Sequence, residues 1–157
     1  MTLITISVIN IVSPIALKDF GIDKNAISIA VSWVEITSIF LIVMMHELIH
    51  LIFIPNFIKS DKTCIGLTPF GGYVYSEEVI TKSRYILIST APFIIISIIL
   101  PLALGNLGLL NKLMKILILL NSMGSSVDIL YLILILFQGP FDSYVTSNGM
   151  NTYWKNT

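Results

Sequence analysis

From Ala26 to about Phe57 the chain is an almost unbroken apolar run, and inside it lie Met45-His46-Glu47-Leu48-Ile49-His50-Leu51. In lipid such a run satisfies its own backbone N–H and C=O groups only as a helix. A helix stands His46 and His50 one turn apart on one face, close enough for both imidazoles to hold one divalent ion. Glu47 then lies beside the ion without ligating it, free to take a proton from water, which is the arrangement of a zinc hydrolase. These are the chain's only two histidines. The alternative is a pair of buried histidines bonded to neighbouring helices. Two imidazoles and a carboxylate in hydrocarbon are costly without partners, however, and a metal supplies one.

Composition sets the surroundings. With 55% hydrophobic and 11% charged residues and a mean hydropathy of +0.91, too little polar surface remains to cover a soluble domain. The sequence therefore predicts a single membrane-embedded domain over residues 1–157, all-α, with about four transmembrane helices and the lipid bilayer as its constant partner. A formal net charge of zero offers nothing to nucleic acid. The single cysteine, Cys64, excludes an internal disulfide, and in a loop its thiolate is a weak candidate ligand.

Residues 1–17 lack a basic start and a small-residue cleavage pattern, so they are not read as a removable signal. They are either a minimal span or a membrane-lying segment, with Pro14 ending or kinking it. The second helix is predicted over 26 to about 54, with Glu35 as a helix-contact or interfacial residue and Pro55 as its stop. Between Lys59 and Ser83, Pro69-Phe70-Gly71-Gly72-Tyr73-Val74-Tyr75 predicts a hairpin-like turn feeding a short strand. That stretch is either a surface hairpin or an edge strand over Gly71, Gly72, Tyr73 and Val74 that pairs with an extended substrate. A third span, 84–104, is interrupted by Pro92, and a fourth covers 112–137. Residues 138–157 read as a polar tail, which leaves 26–137 as the core.

A catalytic zinc site usually has three protein ligands. The fourth span carries Asn121-Ser122-Met123-Gly124-Ser125-Ser126-Val127-Asp128, and an acid at that depth requires a cation or a donor. Helices two and four run the same way across the bilayer and bring His46 and Asp128 to similar depth, so Asp128 is the expected third ligand. Glu77, Glu78 and Asp142 compete from polar loops. Asn121, two turns before Asp128, either orients a ligand or the reacting carbonyl or simply bridges two helices. Zn2+ is the expected cofactor.

Together, His46-Glu47-Leu48-Ile49-His50, Pro69 to Val74 and Asn121 to Asp128 resemble the site-2 protease family of intramembrane zinc metalloproteases, and within it the small zincin membrane peptidases. The last motif departs from the family: no proline follows Asn121, and Val127 and Ile129 flank the acid. The resemblance implies that His46, His50 and Asp128 hold zinc, that Glu47 is the acid/base, and that Gly71 to Val74 engage substrate. It implies cleavage of a membrane-embedded or membrane-adjacent protein segment, in the plasma membrane of a prokaryote, with the site toward the cytosol. Lys59, Lys62, Lys82, Arg84 and Lys155 on one side nearly balance Lys18, Lys24, Lys112 and Lys115 on the other, so charge alone sets no orientation. The competing expectations are a non-catalytic metal-binding scaffold and a small ion or proton carrier using the same three ligands.

Overall fold

A computed structural model describes residues 1–23, 26–27, 32–68, 71–140, 143–148 and 151–155. Asp142, Pro69 and Phe70 lie outside these described residues. Three helices have the length and apolarity to cross a membrane: α2 (Trp33–Phe53), α3 (Lys82–Asn106) and α4 (Lys112–Gln138). The preceding helix, α1 (Thr2–Val12), has 11 residues. At 1.5 Å per residue it reaches about 16 Å, roughly half of a hydrocarbon core about 30 Å thick.

Helix α1 is nevertheless built into the bundle. Thr5 and Ile9 are fully buried, and Thr5 Oγ1 donates to Ser122 Oγ of α4 at 2.9 Å. Near its other end, Gly105 of α3 lets Val12 approach so closely that a Cβ there would sit 2.5 Å from the Val12 side chain. Beyond Pro14, a 3-10 turn at Leu17–Phe20 is closed by Gly21 in the left-handed region, φ 74°. Lys115 of α4 fastens this turn, its Nζ donating to the Pro14 carbonyl at 2.9 Å and to Asp19 Oδ2 at 3.1 Å.

The Asp19 carboxyl titrates below its ordinary 3.8, first because the Ala16 N–H donates to it and then because Lys115 does. A depressed folded-state pKa adds stability that is complete above the unfolded value and lost as pH falls through the folded one. Asp19→Asn is therefore expected to melt a few degrees lower than wild type at neutral pH and to converge with it as pH falls through the lowered folded-state value. A gap in melting temperature that persists at the acid end would refute this account.

The start of α2 corrects the expected boundary. Residues 26–27 are extended, pairing antiparallel as β2 (Ala26–Ile27) with β1 (Ile22–Asp23). The helix begins at Trp33 because Ser32 and Glu35 form a capping box, the Glu35 carboxylate accepting the Ser32 N–H at 2.6 Å and also the Ser32 hydroxyl. Glu35 is thus a helix-start residue rather than a contact between helices. The helix ends where Ile54 turns extended ahead of Pro55.

Helix α3 changes character at Pro92, after which Phe93–Ile99 is a π-helical stretch before α-helix resumes. Its first turn ties the bundle together at one end. The buried Lys82 donates to the Gly139 carbonyl beyond α4 at 2.6 Å, and Arg84 Nε donates to the Phe53 carbonyl of α2 at 2.8 Å. These cations serve carbonyls that helix C-termini leave without partners.

At that end lie two small sheets. Strands β3 (Thr63–Thr68) and β4 (Gly71–Ser76) form an antiparallel hairpin with Thr68 opposite Gly71 and Gly66 opposite Tyr73. A second sheet joins β5 (Ile80–Thr81), β6 (Tyr144–Asn148) and β7 (Asn151–Lys155), antiparallel in that order. The expected polar tail is therefore largely a docked hairpin. Val145 is buried in it, and Thr146 Oγ1 donates to the Glu77 carbonyl at 3.1 Å. Tyr144, Val145, Tyr153 and Trp154 supply the aromatic and β-branched character that strands favour.

Candidate metal centre

Helices α2 and α4 run in the same direction, which sets His46 about 20 Å and Asp128 about 24 Å from their respective helix starts. Across that contact, Asp128 Oδ2 lies 3.1 Å from His46 Nε2 and 3.5 Å from His50 Nε2. The two Nε2 atoms are 3.1 Å apart. Among the described residues, His46, His50 and Asp128 form the group able to hold a metal ion. Their side chains are 12%, 13% and 27% exposed, enough to leave one side open.

Each ring's other nitrogen is already committed. Asn121 donates both amide hydrogens away from the histidine, to Ser97 Oγ at 2.9 Å and the Pro92 carbonyl at 3.4 Å. Its Oδ1 therefore faces His46 Nδ1 at 2.8 Å, and that nitrogen must carry the hydrogen. His50 Nδ1 lies 2.9 Å from the Ile88 carbonyl, which can only accept. Both Nε2 atoms are left with bare lone pairs, facing each other and a carboxylate oxygen.

Three lone-pair donors crowded to 3.1–3.5 Å repel one another unless a cation lies among them. Ligands bound tetrahedrally to zinc at about 2.0–2.1 Å are separated by roughly 3.3–3.4 Å. The donor set fits such an ion, with hydrogen-bond support for both imidazoles and a fourth direction free.

Glu47 stands outside this group. Strand β4 packs against α2, with the Val74 backbone N–H on the side toward the Glu47 carboxylate. Since backbone groups two residues apart point the same way, Gly72 and Val74 turn their N–H groups outward from the hairpin. Among the described residues β4 pairs only with β3. Tyr73 is placed differently, its ring lying across Gly66 on the neighbouring strand, where a Cβ could not fit.

The other candidates lie elsewhere. Glu78 accepts the Ser60 hydroxyl at 2.7 Å, Glu77 lies where Thr146 reaches its carbonyl, and neither belongs to the metal-binding group. Cys64 is an exposed residue of β3 rather than of a loop, and it too is outside the group. Sequence reasoning missed Ser97 and the Ile88 carbonyl. The proline was visible, but not which neighbour would exploit the break it makes.

Comparison with curated proteins returns no match, and neither does comparison with solved structures. A family model does match, over residues 39–144, a span that contains both histidines, Glu47, β4, Asn121 and Asp128. The chain belongs to that family, described as "Putative zincin peptidase".

Proposed function

We propose that the protein is an intramembrane zinc endopeptidase of the site-2 protease type, hydrolysing peptide bonds in membrane-embedded or membrane-adjacent protein segments. One observation carries the reading: a three-donor cluster of zinc dimensions sits on helices of membrane-crossing length, with an unligated glutamate beside it. His46, His50 and Asp128 hold the ion. Zinc bound there polarises a carbonyl and makes water more acidic. Glu47 accepts the proton of the attacking water and returns it to the departing nitrogen. A purely structural metal site has no use for such a base, and a carrier has no use for the strand beside it.

The outward edge of β4 offers the Gly72 N–H to an extended segment, which adds as a further strand and is held beside Glu47, whose carboxylate the Val74 N–H orients. The exposed apolar flanks beside the site, with Met45, Leu48 and Ile52 on α2 and Met123, Val127 and Leu130 on α4, suit a substrate drawn from the bilayer. The site faces the cytosol in the plasma membrane of a prokaryote.

Reconstituted into vesicles with a panel of single-span peptides, the protein is expected to cleave at least one within or next to its apolar segment, and a zinc chelator to stop it. Gly72→Pro removes an N–H that β3 does not use, so the hairpin and the zinc content should persist while cleavage slows about tenfold or more. Failure to cleave any member of a broad panel, with zinc bound, would argue against the endopeptidase reading. An unaltered rate in Gly72→Pro would reject strand addition at β4.

A further inference from the structure

We infer that the break in α3 at Pro92 is a positioning device for the metal centre, setting the hydrogen-bearing nitrogen of both histidines from a helix that contributes no ligand. The inference rests on the zinc reading of the site but makes a separate claim about residues outside the ligand set.

The reasoning begins with a missing atom. In an α-helix the N–H of residue 92 would bond the carbonyl of residue 88. Proline has no N–H, and its ring displaces that carbonyl from its usual path. The Ile88 carbonyl is thereby freed, and it is this carbonyl that accepts the His50 Nδ1–H at 2.9 Å. A helix without the proline would offer His50 a carbonyl already in use.

The same break serves His46 by a second route. The π-helical turns after Pro92 carry Ser97, fully buried, to the flank of α4. There Ser97 Oγ accepts one Asn121 hydrogen at 2.9 Å, itself reaching the Ile118 carbonyl at 3.5 Å. The Pro92 carbonyl lies 3.4 Å from the same amide nitrogen. With its NH2 held on these two acceptors, Asn121 has only its oxygen left for His46 Nδ1 at 2.8 Å. Asn121 is 5% exposed, so no solvent competes for the amide. One irregular stretch of α3 thus fixes both rings, each by a different chemical relay, and points both Nε2 atoms at Asp128.

The chain's two histidines make this directly observable. With nitrogen-15 in the imidazoles of the metal-free full-length protein, both Nδ1 signals should be of the hydrogen-bearing type. Pro92→Ala returns the N–H at 92, and should shift the His50 Nδ1 signal toward a mixture of tautomers and, as the π-helical turns that carry Ser97 straighten, disturb the His46 signal as well. Ser97→Ala, which leaves the break in place, should disturb His46 and spare His50. Each should weaken zinc affinity, measured by chelator competition, by about 10- to 100-fold, the usual effect of losing a group that orients a ligand. The Ser97 effect should vanish in an Asn121→Ala background, because it acts through that amide.

Pro92→Ala should melt no lower than wild type without metal, since it repairs the helix. A merely structural proline would give unchanged histidine signals and unchanged zinc affinity, and that result would overturn the inference. So would disturbance of His50 by Ser97→Ala, which leaves the break in place. If Pro92→Ala does not fold, Ser97→Ala with and without Asn121→Ala decides the matter through His46. Absence of zinc binding in wild type would fail the zinc reading alone, because the nitrogen signals report on the relay without any metal.

Discussion

The protein purified in detergent is expected to carry close to one equivalent of zinc, and Asp128→Ala, His46→Ala and His50→Ala to lose at least about a hundredfold in affinity. Each removes one of three protein ligands whose donor atoms already stand 3.1–3.5 Å apart. Two ligands alone leave the ion no better held than many surface pairs, so metal content after dialysis against a mild chelator should fall from near stoichiometric to near zero. Asp128→Asn sharpens the test: its side chain keeps the shape but not the charge, and should fall between wild type and alanine. Wild-type zinc content in Asp128→Ala would remove α4 from the centre and with it the assembly across helices.

Glu47→Gln is expected to retain zinc while losing peptide hydrolysis by a factor of about 10²–10⁴, the range that a positioned acid/base contributes. The amide matches the carboxylate in size and still offers an oxygen to the Val74 N–H. It cannot take a proton from water. Metal content and hydrolysis should therefore separate in this variant, whereas they fall together in the ligand variants. Glu47→Asp draws the carboxylate back by about one bond length and should recover part of the rate. A Glu47→Gln protein that hydrolyses at the wild-type rate would show that another group accepts the proton.

What could be seen in the sequence follows from the range over which each signal acts. His46, Glu47 and His50 are fixed by the pitch of one helix, and Asp128 by the cost of burying an acid at the same depth. Neither needs knowledge of side-chain packing. Hydropathy places the start of α2 too early because it is blind to the Ser32–Glu35 box that sets it. Residues 144–155 read as a tail because two five-residue strands show little periodicity until they pair. Sequence alone gives Asn121 two roles because an amide's partners depend on a neighbouring helix. The structure gives it His46 on one side and Ser97 on the other. Pro92 announced a kink but not that the released carbonyl would meet a histidine.

The anchorage of α2 and α4 through Lys82 and Arg84 has a thermodynamic corollary. The two helices that carry the proposed ligands are clamped at the same end by α3 through contacts that involve no ion, so the spacing of the donor atoms is established when the chain folds. Coordination free energy is then not consumed in ordering the backbone, as it is in small domains that collapse only around their metal. Stripping the zinc should leave the far-ultraviolet circular dichroism unchanged, and recharging should be a simple one-step saturation rather than a refolding.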